Sequence, residues 1–325
     1  MWLQMRMYML IGIMFVIIYG FLLFVGAAVG YSGQSFVNYT VIMALGMMFV
    51  QYMIGPKMVE SSMKVRYITE GDNPKLYRMV EEQARKAGLK KTPRIGICPT
   101  TIPNAFAFGR SKGDARVCVT EGITNLLSED ELKAVVGHEI SHVKHSDMAI
   151  ITLLSAIPMI AYYMYMSSLF GGRVGTSNDR NSMGTAMVGI VALVVYFITN
   201  LLVMYGSRIR EYYADKGSTE IGNEPHYLAS ALYKLTYGTA KTPKREVQRI
   251  EGIKAFFMND PTKAMGDFNE LTEVDRDMSG TIDRHELEAV RHGEVRVGTS
   301  ASIMELMSTH PNMLKRIKHL SKLAK

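Results

Sequence analysis

Four stretches of this chain contain no Asp, Glu, Lys or Arg: Met7–Tyr31, Phe36–Pro56, Met148–Gly172 and Asn181–Ser207. Each is at least as long as the roughly 20 helical residues needed to cross the hydrocarbon layer of a bilayer. No water reaches the backbone there, so an isolated apolar segment closes its own hydrogen bonds as a helix. The chain is therefore predicted to be a multi-span membrane protein with two apolar hairpins. Pro158, Ser155, Ser167 and Ser168 weaken the third stretch, and the last two stretches can also be read as helices that dip into the membrane without crossing. No cleavage-like site follows the first stretch, which is expected to remain as an anchor.

Cations flanking a span are retained in the cytoplasm. Arg6 precedes the first stretch, Lys57, Lys64 and Arg66 follow the second, Lys144 precedes the third, and Arg208 and Arg210 follow the fourth. The loop after the first stretch is uncharged, and the loop after the third has only Arg173, Asp179 and Arg180. This places both termini and the polar segments in the cytoplasm, facing inward from a cell membrane. The net charge of +7 suits a body resting on anionic headgroups. Nucleic acid is not an expected partner, because the cations are not interleaved with aromatics on one polar domain. Cys98 and Cys118 lie in apolar runs and are expected to be reduced and buried.

The polar segments read as mainly α with a small β-sheet, an α+β fold. Residues 1–56 form the first hairpin, 57–147 the first part of the polar domain, 148–207 the second hairpin and 208–325 the rest. Residues 73–88 have a charged helical pattern, and PRIGICPT, NAFAFGR and ARVCVTEG read as short strands. A helix follows, with Ser128 as N-cap, Glu131 three residues on and acidic residues in the first turn. The C-terminal MLKRIKHLSKLAK spaces apolar residues three apart and reads as a packed last helix.

That capped helix carries His138-Glu139-Ile140-Ser141-His142. Imidazoles four residues apart project from one helical face and can grip one metal ion, while Glu139 can reach a water on that ion. Zinc suits such a set, lowering the pKa of its water toward about 7 and making a nucleophile for a peptide carbonyl. A catalytic zinc needs a third protein ligand and an open position. Glu211 in Arg210-Glu211-Tyr212-Tyr213-Ala214-Asp215 is the candidate, and Asp215, one turn on, is placed to accept the second ring N–H of a ligating histidine. His145 is not expected to be a ligand, because Met148 stands where a further histidine would be needed. The charged residues 129–133 and Lys144 flank the motif, so the site is expected at the bilayer surface.

The HEISH and EYYAD motifs, with Asn-Ala-Phe-Ala before them and Thr-His-Pro near the C-terminus, resemble the M48 metallopeptidases, specifically the HtpX-type membrane proteases. The resemblance implies a gluzincin-like zinc endopeptidase that degrades damaged or misfolded membrane proteins. It also implies that Asn104, Ala105, Phe106 and Ala107 form an edge strand along which an extended substrate pairs. Under the same resemblance His310 is the distal histidine that steadies the oxyanion.

One feature departs from that pattern. Residues 275–286 satisfy the EF-hand template, with oxygen donors from Asp275, Asp277, Ser279, Asp283 and Glu286, the carbonyl of Thr281, Gly280 at the sharp turn and Ile282 at the aliphatic position. The insert spans about 263–292 and is expected to bind calcium and alter access to the cleft. EF-hands pair, so a lone loop either binds weakly or pairs across a homodimer. Two other functions fit the sequence: a calcium-responsive membrane adaptor that has lost activity, and a prenyl-protein processing peptidase, disfavoured by four spans.

Overall fold

A computed structural model describes residues 2–29, 34–171, 182–243, 258, 264–293 and 305–324. The loops holding Arg173, Asp179 and Arg180, and most of residues 244–263, lie outside the described residues. The chain divides into two compact units, Met1–Gly55 with Ile150–Gly206, and Pro56–Ala149 with Ser207–Lys325.

The first unit is apolar, and its described residues are helical. It comprises α1 (Trp2–Val29) and parts of α2 (Gln34–Ser62), α6 (Asp147–Gly171) and α7 (Ser182–Glu220). Phe21, Val25, Ala161, Met164, Val188, Ala192 and Val195 form its core, while Tyr8, Phe15, Val16, Leu153, Ile190 and Phe197 are exposed. An exterior of large apolar side chains suits lipid rather than water. Among the described residues, three helical segments are long and apolar enough to cross a membrane: Met5–Val25, Asp147–Leu169 and Ala186–Glu220. The stretch Phe36–Pro56 lies within α2, several of whose side chains are outside the described residues. Pro158 does not break α6, and the Ser155 and Ser168 hydroxyls donate to the carbonyls of Ile151 (2.8 Å) and Tyr165 (2.7 Å). Such back-bonding lets hydroxyls sit in an apolar helix without stranding a polar group.

The second unit holds a mixed four-stranded sheet in the order β1-β2-β4-β3. Here β1 is Arg66–Tyr67, β2 Arg94–Cys98, β3 Ala105–Phe108 and β4 Arg116–Thr120. β2 runs parallel to β4, and β3 and β1 pair antiparallel on either side. The two-residue β1 gives no sequence signal, being too short to show an alternation. Cys98 and Cys118 are free and buried.

The central helix is α5 (Glu129–His145), packed between α3 (Pro74–Lys86), α8 (Pro225–Ala240) and the sheet. It begins with a capping box, in which the Ser128 side chain accepts from Glu131 N–H and Glu131 accepts from Ser128 N–H. Ser230 and Lys234 of α8 also bind the Glu131 carboxylate. α5 ends at Ser146, whose φ of 57° lies in the left-handed region. Close approach of α5 and α7 depends on small residues. A Cβ at Gly217 would lie 2.0 Å from Ser141 Oγ, and one at Gly137 would lie 2.8 Å from Ser218 Oγ. The remaining described helices are α4 (Glu121–Leu126), α9 (Ala264–Leu271), α10 (Arg284–His292) and α11 (Met313–Leu323).

Candidate metal centre

α5 presents His138 and His142 one turn apart, with their Nε2 atoms 3.1 Å apart and their rings nearly perpendicular. α7 brings Glu211 to them. Its Oε2 lies 3.6 Å from His138 Nε2 and its Oε1 lies 3.5 Å from His142 Nε2. One ligand atom from each residue lies within 4.8 Å of the other two. Glu211 is 6% exposed, and its Oε2, shut off from solvent, makes no hydrogen bond among the described residues and has only ion-pair neighbours, an Arg316 nitrogen at 3.1 Å and imidazole nitrogens of His138 and His310 at 3.6 Å. Burying a carboxylate is costly, and a cation shared with the two imidazoles offsets part of that cost. Two histidines and one glutamate are a catalytic zinc donor set, so these residues fit the metal that the sequence suggests.

Each imidazole is held from behind by a carboxylate. His138 Nδ1 lies 2.9 Å from Asp215 Oδ1, and His142 Nδ1 lies 2.8 Å from Asp147 Oδ2. Each carboxylate in turn meets an arginine. Arg316, fully buried on α11, donates from Nε to Asp215 Oδ2 at 3.0 Å and from its terminal nitrogen to Oδ1 at 2.5 Å. Its other terminal nitrogen lies 3.1 Å from Glu211 Oε2. Arg210 forms an ion pair with Asp147 and donates to the His145 carbonyl at 3.1 Å. Burial pushes both imidazole pKa values down but is outweighed. Asp215 and Glu211 hold His138 above its ordinary value, and Glu211 and Glu139 do the same for His142.

The other residues singled out in the sequence are placed as follows. Glu139 is 4% exposed beside His142. His310 is half-buried, with both ring nitrogens shut off from solvent and not hydrogen-bonded among the described residues, and its Nδ1 lies 3.6 Å from Glu211 Oε2. Arg208 anchors the turn before it, donating to the carbonyls of Glu305, Leu306 and Ser308. Ala105, Phe106 and Ala107 lie in β3 at the sheet edge, preceded by Asn104, whose side chain accepts from Met258 N–H at 2.9 Å. His145 is half-buried rather than on the surface, with Nδ1 2.9 Å from the Ser141 carbonyl. In the 275–286 loop, Asp275, Asp277 and Glu286 each place a carboxylate oxygen within 4.8 Å of the others, and Gly280 has φ of 78°. Ser279 and Thr281 bond each other at 2.9 Å, and Asp283 caps α10 by accepting from Glu286 N–H.

Sequence reasoning missed Asp147, Arg210 and Arg316 as parts of the centre. Arg316 was legible in principle: it stands three residues after Met313 and four before Leu320, on the buried face of α11. Asp147 and Arg210 gave no such signal, because membrane-flanking charges are ordinary.

A sequence profile described as Peptidase family M48 matches residues 70–324. A "Protease HtpX homolog" of Methanothermobacter thermautotrophicus is 51% identical over 233 residues, covering 72% of this chain and 85% of that one. A "Protease HtpX homolog 2" of Methanosarcina acetivorans is 34% identical, covering 93% and 90%. The crystal structure of S. mikatae Ste24p has the same fold, with a TM-score of 0.51 at 13% identity over 98% of this chain and 66% of that one, just under two thirds of its length.

Proposed function

The chain belongs to peptidase family M48, and from that premise we propose that it is a membrane-bound zinc endopeptidase whose polypeptide substrates are damaged or misfolded membrane proteins. The observation that carries this reading is the meeting of His138, His142 and Glu211, each with a ligand atom within 4.8 Å of the other two, around a Glu211 that is buried. These three side chains would hold the metal. When bound, zinc polarises the scissile carbonyl and acidifies a water. Glu139 would take a proton from the attacking water and pass it to the departing amine, as a general base and then a general acid. An N–H of His310 donates to the oxygen of the carbonyl under attack. Asn104 to Ala107 align an extended substrate backbone along the sheet edge. Asp215 fixes the tautomer of His138, so that Nε2 presents its lone pair to the metal. The reading includes four spans, with the catalytic unit in the cytoplasm.

The test compares casein cleavage by the purified, zinc-loaded protein and its Glu139→Ala variant. The variant is expected to lose about 10²–10⁴-fold in rate. Equal cleavage by the two proteins would remove Glu139 from the mechanism, and no cleavage by either with full zinc loading would favour the inactive adaptor. Turnover of a CaaX peptide in preference to casein would favour the prenyl-protein peptidase.

A calcium role for the 275–286 insert is supported by its three converging carboxylates and its glycine turn. Asp275, Asp277, Ser279, the Thr281 carbonyl, Asp283 and Glu286 would supply the oxygens, and the ion would modulate access to the cleft. Calcium titration of casein cleavage should raise or lower the rate in wild type and leave Glu286→Gln unchanged. A wild-type rate that is flat in calcium argues against modulation.

A further inference from the structure

We propose that Asp147, backed by Arg210, is a positioning residue that locks His142 in its metal-binding tautomer. This inference rests on the zinc reading above and adds a second carboxylate to the one already assigned to Asp215. An imidazole can bind a metal through Nε2 only if its proton sits on Nδ1, and an acceptor at Nδ1 is what fixes it there. For His142 that acceptor is Asp147 Oδ2, at 2.8 Å and in the place Asp215 holds for His138.

The local structure explains how so near a neighbour in sequence reaches the ring. α5 closes at Ser146 in the left-handed conformation, and this reverses the chain so that the next residue, Asp147, points back at the side chain five positions earlier. Had the helix continued, residues five apart would not face each other. Asp147 is 6% exposed, and a carboxylate so buried requires a counter-charge. Arg210 supplies it from α7, one residue before Glu211, and its hydrogen bond to the His145 carbonyl ties it to the last turn of α5. The pair therefore connects the helix carrying two ligands to the helix carrying the third. Asp147 also opens α6, where an acidic residue stabilises the helix dipole. That is the purely structural alternative, and the experiment must separate the two.

Zinc affinity is measured on the full-length protein in detergent by competition with a chromophoric chelator, alongside the melting temperature of the metal-free protein. Asp147→Asn is expected to weaken zinc binding about 10–100-fold, the usual cost of losing such a partner. Asp147→Glu should recover part of the loss, and Arg210→Met should reproduce part of it. In a His142→Ala background, Asp147→Asn should cost nothing further. Wild-type zinc affinity in Asp147→Asn overturns the inference, as does an equal loss with and without His142. If Asp147→Asn does not fold, Arg210→Met with and without His142 makes the same comparison with the carboxylate in place. Failure of wild type to bind zinc at all would instead sink the zinc reading.

Discussion

Arg316 is the residue whose surroundings are most exacting. It is fully buried, holds Asp215 through two parallel hydrogen bonds and lies 3.1 Å from Glu211. Burying a guanidinium is tolerable only because two carboxylates meet it, and removing it strands both. Arg316→Met is therefore expected to cost about 3–5 kcal/mol in stability of the metal-free protein, the penalty for breaking a buried pair from one side. Arg316→Lys should recover little of it, because a point charge cannot reproduce a planar fork on Asp215. Thermal melts of both variants check this, and full recovery by lysine would show that charge alone matters.

At the scale of elements, α5 depends on its two ends and on the glycines facing it. Burial pushes the Glu131 carboxyl up, but Lys234, Ser230 and the Ser128 N–H outweigh it and bring it below the usual 4.5. A carboxylate whose folded pKa is lowered stabilises the fold fully above its unfolded value and loses that contribution as pH falls through the folded value. Wild-type stability is thus expected to decline below about pH 4.5 more steeply than that of Glu131→Gln, while at neutral pH the variant should be weaker by about 1–3 kcal/mol. Melts across that range test both halves. Gly217→Ala sets a methyl 2.0 Å from Ser141 Oγ, so it should destabilise by about 1–3 kcal/mol as α5 and α7 are pushed apart. Gly217→Ala combined with Ser141→Ala should restore part of the loss, and a melt of the double variant measures it.

For the whole molecule, a metal that binds the folded but not the unfolded chain adds stability by mass action. Zinc at about a hundred times its dissociation constant should contribute about 2.7 kcal/mol. A chelator is therefore expected to lower the melting temperature and stop cleavage, and added zinc to restore both. An unshifted melt would argue that no ion is held by the folded protein. Much of this architecture was legible in the chain. The charge-free stretches announced helices, because lipid leaves a backbone few alternatives, and the HEISH register announced two imidazoles on one face. α2 is a helix over the second such stretch. The short β1 and the pairing of Asp147 with His142 were not legible, since neither carries a periodic signal.

The sequence alone determined what depends on local geometry: the helical turn between His138 and His142, the turn between Glu211 and Asp215, and the capping box on α5. Each is a spacing of three or four residues, which the α-helix converts into proximity whatever surrounds it. Only the tertiary structure decided that Arg316 reaches a histidine 178 positions away, that Arg210 meets Asp147, and that Asp147 turns back on His142. Contacts of that kind follow from how glycine-lined helices pack and where a left-handed cap sends the chain, and no window of sequence encodes either.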